Sequence, residues 1–488
     1  MNLYLIGHDY RYAAEQMLLT LFPDERPEYP DGRPTGDRAE LRLMSGTKVT
    51  TVTCVLVYHG QTANGRTSVP NGELTDPAET DRRLQGAIKR AFYRAAMGIG
   101  LPHRPWGMLT GVRPGKLMTP LLAQGLNDAQ AARQFERQYD VSPARADLVV
   151  RTAHATLRAM ESLGSKDVCL YVGIPFCPTR CAYCSFVSQS VEKSMALVPE
   201  FLQALAREIA ATADAVRKAG LRVVSLYIGG GTPTTLSARQ LDALCTQLAA
   251  AFDLSALREF TVEAGRPDTI TADKLQVLRA HRVDRISVNP QTLDDRVLDT
   301  IGRRHTAQDI YDALRLVRET GGFAVNMDLI AGLPGDTPDG FRATLEQVLA
   351  LAPENITVHT LSRKRGSNLM AQDAPIPDGA AVGEMLDFAG TVLPRAGYAP
   401  YYLYRQKFMS GGFENVGWTR PGQENLYNIC IMEELCSILA MGGGASTKLV
   451  RPNGGRLERH IDPKYPTEYI ANIDRICAAK AELEAFFQ

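Results

Sequence analysis

Between Asp167 and residue 361, six short apolar runs rich in β-branched residues alternate with five longer amphipathic segments. This alternation predicts parallel strands joined by helices, because consecutive parallel strands need a crossover that a helix supplies. Strands are predicted at 168–174, 223–228, 259–264, 283–288, 323–330 and 355–361, and helices at 197–219, 237–252, 271–281, 306–320 and 338–351. Six such units form an α/β fold, a partial (β/α)6 barrel, with ligand-binding groups expected at the carboxyl ends of the strands.

The regions on either side of this barrel are predicted to be separate domains. Residues 1–165 are assigned to an N-terminal α+β domain of unknown role, residues 166–375 to the barrel, and residues 376–488 to a C-terminal α+β domain. The N-terminal domain contains a predicted hairpin of strands at 40–45 and 48–59, and the C-terminal domain a predicted helix at 429–439.

Three cysteines, Cys177, Cys181 and Cys184, follow the first predicted strand with the spacing C-x3-C-x2-C. Three thiolates leave a four-iron cube one ligand short, so one iron stays open to a small molecule. A zinc site needs a fourth ligand at short spacing, and the nearest histidine is His154, before the strand. The pattern therefore favours one [4Fe-4S] cluster over zinc. The other six cysteines are scattered along the sequence and are interpreted as packed thiols.

Composition excludes several classes of partner. Basic and acidic residues balance at 54 each, so no net charge favours nucleic acid or an anionic membrane surface. No uncharged apolar run has the length of a membrane span. The first residues carry no basic leader, and nine cysteines in a chain of this size do not indicate a disulfide framework. We therefore expect a protein of the reducing cytoplasm.

Polar and glycine-rich residues follow the predicted strands where a barrel site is expected. Three glycines at a strand end let a ligand approach the backbone closely. Single carboxylates and amides are more often solvated loop residues, but residues at the ends of successive strands match a binding site better. The candidates are Gly230, Gly231 and Thr232 after strand two, Glu263 at strand three, Asn289 and Gln291 after strand four, Arg303, and Asp328 in strand five.

Taken together, these motifs resemble the radical S-adenosylmethionine (SAM) enzymes of the oxygen-independent coproporphyrinogen III oxidase family, and most closely its coproporphyrinogen dehydrogenase (HemZ-type) branch. The resemblance covers most of the chain from residue 167 onward. The stretches that carry it are Tyr171–Cys184, Gly229–Thr234, Thr261–Ala264, Arg285–Gln291, Gly302–His305 and Asp328–Gly335.

The resemblance implies roles for individual residues. It assigns Cys177, Cys181 and Cys184 to the cluster and places Tyr171 near the substrate as the catalytic candidate. It implies that SAM contacts Tyr183, Gly230, Gly231, Thr232, Glu263, Gln291, Arg303 and Asp328. The implied reaction is oxidative decarboxylation of two propionates of coproporphyrinogen III to the vinyl groups of protoporphyrinogen IX, driven by a reducing donor such as flavodoxin or ferredoxin.

Two alternatives remain open. Well-studied oxidases of the group carry a fourth cysteine where this chain has Phe186, and HemW-type haem chaperones share that difference. A HemW-like role in haem trafficking is therefore the second hypothesis, and radical-mediated haem breakdown is a minor third.

Further sequence features suit a tetrapyrrole with carboxylates. Arg113 and Lys116 in one loop and the basic stretch 362–367 in another can bind carboxylates, although both segments can equally be ordinary loops. Tyr401, Tyr402 and Tyr404 can stack on a flat macrocycle, or simply alternate along a strand.

Overall fold

The computed structural model describes residues 1–32, 34–184, 189–190, 194–362, 375–406, 410–451 and 457–487. Contacts divide the chain into two compact units. The first unit comprises residues 1–112 and 125–148, and the second comprises residues 113–124 and 149–488.

The strands, numbered in chain order, are β1 (Asn2–Ile6), β2 (Arg38–Ser45), β3 (Val49–Tyr58), β4 (Gln61–Pro70), β5 (Asp167–Ile174), β6 (Phe176–Cys177), β7 (Gln189–Ser190), β8 (Arg222–Gly230), β9 (Glu259–Glu263), β10 (Arg285–Ser287), β11 (Ala324–Ala331), β12 (Asn355–Thr360), β13 (Ala399–Arg405), β14 (Glu414–Thr419), β15 (Ser437–Gly442), β16 (Ser446–Leu449) and β17 (Glu458–Ile461).

The α-helices are α1 (Arg11–Leu21), α2 (Pro77–Gly98), α3 (Gly115–Ala123), α4 (Asp128–Tyr139), α5 (Pro143–Ser162), α6 (Val198–Lys218), α7 (Ala238–Ala251), α8 (Ala272–Ala280), α9 (Asp295–Thr300), α10 (Ala307–Thr320), α11 (Pro338–Ala350), α12 (Gly379–Arg395), α13 (Leu426–Glu433), α14 (Pro466–Ala471) and α15 (Ile473–Phe487).

The first unit is built on a four-stranded sheet in the order β1-β2-β3-β4, in which only β1 and β2 are parallel. Strand β4 was not expected, because its sequence is polar and contains glycine. His59 and Gly60 both have positive φ, which suits the tight turn that returns β3 into β4. A Cβ at Gly65 would lie 1.9 Å from the Ala91 carbonyl oxygen, so this glycine lets α2 pack directly on the strand.

The second unit is built on an eleven-stranded sheet in the order β13-β14-β12-β11-β10-β9-β8-β5-β15-β16-β17. Its seven central strands, from β12 to β15, are parallel, and the two strands at each edge are antiparallel to their inner neighbours. The six predicted barrel strands are all present as β5 and β8–β12, and the partial barrel is confirmed.

The predicted helix at 429–439 is wrong. Helix α13 ends at Glu433, and Glu434 takes a left-handed conformation with φ of 57° that stops it. Ser437–Gly442 then forms β15, buried at every position and hydrogen-bonded parallel to β5. A continuous apolar run of this kind fits either a helix or a strand that is buried on both faces. Here the segment forms a strand because the unpaired edge of β5 offers it hydrogen-bonding partners.

The predicted domain boundary at 375/376 stays a prediction. In the structure, strands on both sides of it belong to one sheet, because β14 pairs with β12 and β15 pairs with β5. The C-terminal segment therefore extends the barrel sheet at both edges.

Candidate active site

The loop that carries the three cysteines is fixed to the end of β8 by backbone hydrogen bonds. Gly231 N–H donates to the Ile174 carbonyl at 2.8 Å, and Thr232 N–H donates to the Phe176 carbonyl at 2.7 Å. The Cys177 sulfur then lies 3.4 Å from the Thr232 hydroxyl. The first predicted ligand and the glycine-rich turn therefore meet at one point.

Gly230 and Gly231 are needed at this meeting point for different reasons. Gly230 has a φ of +109°, which side chains rarely adopt. A Cβ on Gly231 would lie 2.5 Å from the Phe176 carbonyl oxygen and 3.0 Å from the Cys177 sulfur. The second glycine therefore leaves the space that the cysteine loop occupies.

Cys181 is buried and has a cationic neighbour that the sequence analysis did not identify. The Arg266 guanidinium, 3% exposed, approaches the Cys181 sulfur to 3.6 Å through Nη1. The Cys184 N–H donates to the Cys181 carbonyl, and the Ala182 N–H donates to the Ile301 carbonyl. These bonds hold the second and third predicted ligands against the residues that follow β9 and β10.

Arg303 ties this loop to the end of β10. Its guanidinium donates to the Tyr183 hydroxyl at 3.0 Å and to the Asn289 carbonyl at 2.7 Å. Burial raises the pKa of the Tyr183 phenol, with the cation opposing the shift. Tyr183 therefore stays a neutral hydrogen-bonding group beside the second and third cysteines.

Glu263, at the end of β9, accepts a hydrogen bond of 2.6 Å from the Tyr227 hydroxyl. Burial raises the pKa of Glu263 to about 7, with the Tyr227 hydroxyl opposing the shift and the Asp328 carboxylate adding to it. Near neutral pH this carboxyl is therefore poised between its acid and its anion.

Asp328, in β11, behaves in the opposite way. Burial alone would raise its pKa, but a hydrogen bond and charge interaction with His359 and a hydrogen bond from Asn326 outweigh burial and lower the pKa. The Asn289 and Asn326 amides each donate to this carboxylate at 2.8 Å. Asp328 is thus the fixed negative charge of the site.

Gln291 sits in a strained conformation with a φ of +67° and is buried. Its backbone bonds to β11, accepting from Ile330 N–H and donating to the Asp328 carbonyl. Its side-chain oxygen has no hydrogen-bond partner among the described residues, and neither has Arg266 Nη2 or Arg303 Nε. Buried polar atoms of this kind are normally satisfied, which indicates a polar ligand here.

Tyr171, in β5, lies in a stack of three tyrosines. Its ring centroid is 6.1 Å from that of Tyr227 and 6.0 Å from that of Tyr427, which are themselves 4.4 Å apart. Burial raises the pKa of the Tyr171 phenol, with Glu263 adding to the shift. Tyr171 therefore faces the same compartment as Glu263, as the alternation of β5 predicts.

A family model described as the radical SAM superfamily matches residues 171–348. The chain is 39% identical to the oxygen-independent coproporphyrinogen-III oxidase-like protein HemZ of Bacillus subtilis, over 84% of each chain. The chain belongs to the radical SAM family that includes this HemZ protein. It is also 29% identical to the heme chaperone HemW of Lactococcus lactis, over 64% of this chain and 78% of that one.

A solved structure supports the fold of the family. The coproporphyrinogen III oxidase HemN of Escherichia coli, described as a radical SAM enzyme, matches with a TM-score of 0.51 and 25% identity, over 66% of this chain and 72% of that chain. The predicted family and fold are confirmed. Radical SAM proteins use a [4Fe-4S] cluster and SAM, so the predicted cofactors are confirmed as those of the family.

The residues in this chain fit those two cofactors. In the described part of the chain, the sulfurs of Cys177, Cys181 and Cys184 do not converge within 4.8 Å as ligands of a single ion must. A wider spread suits three ligands that each bind a different iron of one cube. The unpartnered polar atoms of Gln291, Arg266 and Arg303 lie on the elements that surround the loop, where a polar cofactor can satisfy them.

Some candidates of the sequence analysis have other partners or fall outside the description. Arg113 and Lys116 both form ion pairs with Glu434, so a carboxylate of the chain already contacts both cations. Lys116 also lies in helix α3 rather than in a loop. Phe186 and residues 363–367 of the basic stretch lie outside the described residues.

The three tyrosines suggested for stacking on a macrocycle, Tyr401, Tyr402 and Tyr404, lie in β13 and take part in core packing or in contacts near Asp328. Tyr401 and Tyr402 are buried in an apolar cluster with Ile429. The Tyr404 hydroxyl lies 3.4 Å from His359 Nδ1, and His359 Nε2 lies 3.8 Å from the Asp328 carboxylate. The Tyr402 hydroxyl reaches the same carboxylate by another route, because it lies 3.3 Å from the Thr357 hydroxyl, which donates to Asn326.

Sequence reasoning missed residues that reach the site from distant segments, namely Arg266, Tyr227, His359 and Tyr427. It also did not foresee that three of the six other cysteines, Cys169, Cys430 and Cys436, lie within 4.8 Å of one another, although all three are buried as packed thiols are. No local signal marks such groups, since each of them joins segments that lie tens to hundreds of residues apart.

Among the described helices, none combines the length and the apolar character that a bilayer crossing requires.

Proposed function

We propose that this chain is a radical SAM oxidoreductase that decarboxylates two propionates of coproporphyrinogen III to the vinyl groups of protoporphyrinogen IX. The observation that carries the proposal is the tyrosine stack of Tyr171, Tyr227 and Tyr427. It lies beside Glu263 and includes Tyr171, which is on the strand that leads into the cysteine loop. Aromatic faces with hydroxyl edges suit a flat ring system that carries carboxylates.

Each residue has a separate task in this proposal. Cys177, Cys181 and Cys184 hold the cluster, and the amides and carbonyls of Gly230, Gly231 and Thr232 border SAM. The unpartnered Nε of Arg303 pairs with the SAM carboxylate. The side chains of Glu263, Gln291 and Asp328 accept hydrogen bonds from the amino and hydroxyl groups of SAM. Tyr183 borders the adenine, and Tyr171 positions the propionate. When bound, the reduced cluster and SAM supply the electron and the hydrogen abstraction that start the reaction.

The overall reaction balances with an external acceptor. Each propionate loses one hydrogen atom, carbon dioxide and one further electron to give a vinyl group. We propose that a flavodoxin or ferredoxin reduces the cluster and that the protein works in the cytoplasm, where its free cysteines stay reduced.

The test is an anaerobic turnover experiment. The cluster is reconstituted, SAM, dithionite and coproporphyrinogen III are added, and 5′-deoxyadenosine, methionine and tetrapyrroles are quantified by mass spectrometry. We expect vinyl products in proportion to 5′-deoxyadenosine, and a large loss of vinyl product with retained iron in Tyr171→Phe. The proposal would be contradicted if the amount of SAM cleaved were the same with and without coproporphyrinogen III.

Two cysteine variants serve as a matched pair in this experiment. We expect Cys177→Ala to lose the four-iron cluster and all SAM cleavage, whereas Cys169→Ala, on β5 itself, keeps its iron. Iron and sulfide analysis with electron paramagnetic resonance compares the two, and equal loss of iron in both would contradict the ligand assignment.

A second candidate function is favoured by the similarity to HemW proteins, named as heme chaperones. In that case the chain binds haem stoichiometrically and forms no vinyl products from coproporphyrinogen III. Titration with haem in the same preparation distinguishes the two functions.

A further inference from the structure

Three thiols outside the cluster loop meet inside the second unit. Cys169 lies in β5, Cys430 in α13, and Cys436 immediately before β15. Their sulfur atoms all lie within 4.8 Å of one another, and those of Cys169 and Cys436 are 3.6 Å apart. All three residues are buried, with exposures of 0%, 0% and 7%. We call this group the thiol triad.

The thiol triad is separate from the proposed cluster site. Cys169 precedes Ile174, the last residue of β5, by five positions, which is about 17 Å along a strand. The triad shares an apolar cluster with Tyr227, Tyr427 and Ile438. The tyrosine stack is therefore a neighbour of both sites.

The geometry of the triad suits one ion bound by three sulfurs. An ion about 2.3 Å from each sulfur holds the sulfurs about 3.5–4 Å apart, close to the 3.6 Å observed for Cys169 and Cys436. No fourth Cys, His, Asp or Glu ligand atom joins the three within 4.8 Å in the described part of the chain. Zinc, which prefers four ligands, is therefore a poor match.

The net charge of three thiolates and a bound ion narrows the choice of ion further. The carboxyl groups that interact with these sulfurs are Glu259, whose pKa is raised by burial, and Asp167, which pairs with Arg222 and Arg258. Three thiolates leave a net charge of −2 with a monovalent ion and −1 with a divalent ion, and a buried net negative charge without its own cation is costly. A trivalent thiophilic centre leaves none.

We propose that the thiol triad is a binding site for a trivalent, three-coordinate thiophilic species of the arsenite class. Binding exchanges ligands without oxidation or reduction. Three As–O bonds of arsenous acid break, three As–S bonds form to Cys169, Cys430 and Cys436, and the three thiol protons leave with the hydroxyls as three water molecules. The site does not depend on the tetrapyrrole chemistry proposed above.

The test uses the full chain with its cluster loaded, under anaerobic conditions, and arsenite as the probe. Arsenic and iron per chain are counted by elemental analysis, and X-ray absorption at the arsenic edge counts the sulfur neighbours. We expect one arsenic with three sulfur neighbours and no loss of iron. We expect Cys430→Ser to bind at least about 10–100-fold more weakly, the range that even outer changes to a metal site produce.

Controls separate this site from other thiols. Cys245→Ser removes a single buried cysteine of α7 and is expected to bind arsenite like the wild type. If Cys430→Ser or Cys436→Ser melts at a lower temperature than the wild type, weaker arsenite binding by that variant is not informative. The number of sulfur neighbours of arsenic in the wild type then tests the proposal by itself. The proposal is overturned by no bound arsenic, by fewer than three sulfur neighbours, or by arsenic that displaces iron. Triad-dependent binding of zinc in place of arsenite overturns the trivalent assignment.

Discussion

At the scale of single residues, Arg266 is the least expected member of the proposed cluster site. Its Nη1 lies 3.6 Å from the Cys181 sulfur, which is buried with it. Hydrogen bonds to ligand sulfurs stabilise the more negative, reduced state of an iron–sulfur cluster and so raise its reduction potential. In the proposed site, we therefore expect Arg266 to ease reduction of the cluster.

We expect Arg266→Gln to lower the reduction potential. Losing a charge-assisted hydrogen bond of about 1.5 kcal/mol corresponds to about 60 mV in a one-electron couple. Potentiometric titration followed by electron paramagnetic resonance measures the change. Arg279→Gln, on an exposed guanidinium of α8, is the control, and equal potentials in Arg266→Gln and wild type would contradict the role.

Glu263 makes a prediction about pH. Its pKa is about 7 in the folded chain and about 4.5 in the unfolded chain, so between these values the folded chain holds a proton that the unfolded chain releases. Its contribution to stability is therefore complete below about pH 4.5 and is lost as the pH rises through about 7.

We expect Glu263→Gln to flatten this dependence. At pH 5 the variant should melt close to the wild type, and by pH 8 it should be the more stable by a few degrees, since each pKa unit is worth about 1.4 kcal/mol. Melting curves from pH 5 to 8 measure the difference. A constant difference across that range would show that Glu263 does not titrate as described.

Much of the candidate site could be predicted at this scale, because strand periodicity fixes which residues stand at strand ends. Gly230 and Glu263 end β8 and β9, whereas Gln291 follows β10 by four residues and Asp328 lies within β11, close to the end that was expected. The partners of these residues could not be predicted, since Arg266 meets Cys181, and His359 approaches Asp328, only through the tertiary fold.

At the scale of elements, the turn after β8 needs glycine at position 231 because the cysteine loop leaves no room there for a side chain. We expect Gly231→Ala to push the Phe176 carbonyl and the Cys177 sulfur away, and so to lower the iron bound after reconstitution severalfold. Gly86→Ala, in helix α2 where a Cβ meets nothing within 4 Å, is the control and should raise stability by about 1 kcal/mol. Normal iron content in Gly231→Ala would contradict the steric reading.

The same scale explains the error at residues 429–439. Local apolar periodicity cannot distinguish a buried strand from a helix, and here the unpaired edge of β5 supplies a hydrogen-bonding ladder for Ser437–Gly442. The barrel strands were easier to predict because flanking helices and turns delimit each of them.

At the scale of the whole second unit, a buried ion pair joins distant segments. Lys480 of α15 lies 2.7 Å from Glu208 of α6 and donates to the Ala440 carbonyl of β15. Glu208 also accepts from the Gly442 N–H at 2.8 Å. The pair therefore holds the end of β15 in place beside β5.

We expect Lys480→Met to destabilise the protein by about 3–5 kcal/mol, because it leaves a buried carboxylate without its cation. Adding Glu208→Gln should recover part of that loss, and Lys464→Met, at an exposed lysine, should change stability by less than about 0.5 kcal/mol. Urea unfolding of the three variants measures these effects. No recovery in the double variant would contradict the pairing.

The position of β15 next to β5 has a consequence for synthesis on the ribosome. The strand that leads into the cysteine loop emerges with one edge bare, and its neighbour is made roughly 260 residues later, about 13–50 s at ordinary elongation rates. During that interval the nascent chain exposes a pairing edge that favours aggregation. The edge of β5 that leads into the cysteine loop is thus covered only after translation has passed residue 442, although the residues that contact the cysteines, from Thr232 to Arg303, are made much earlier.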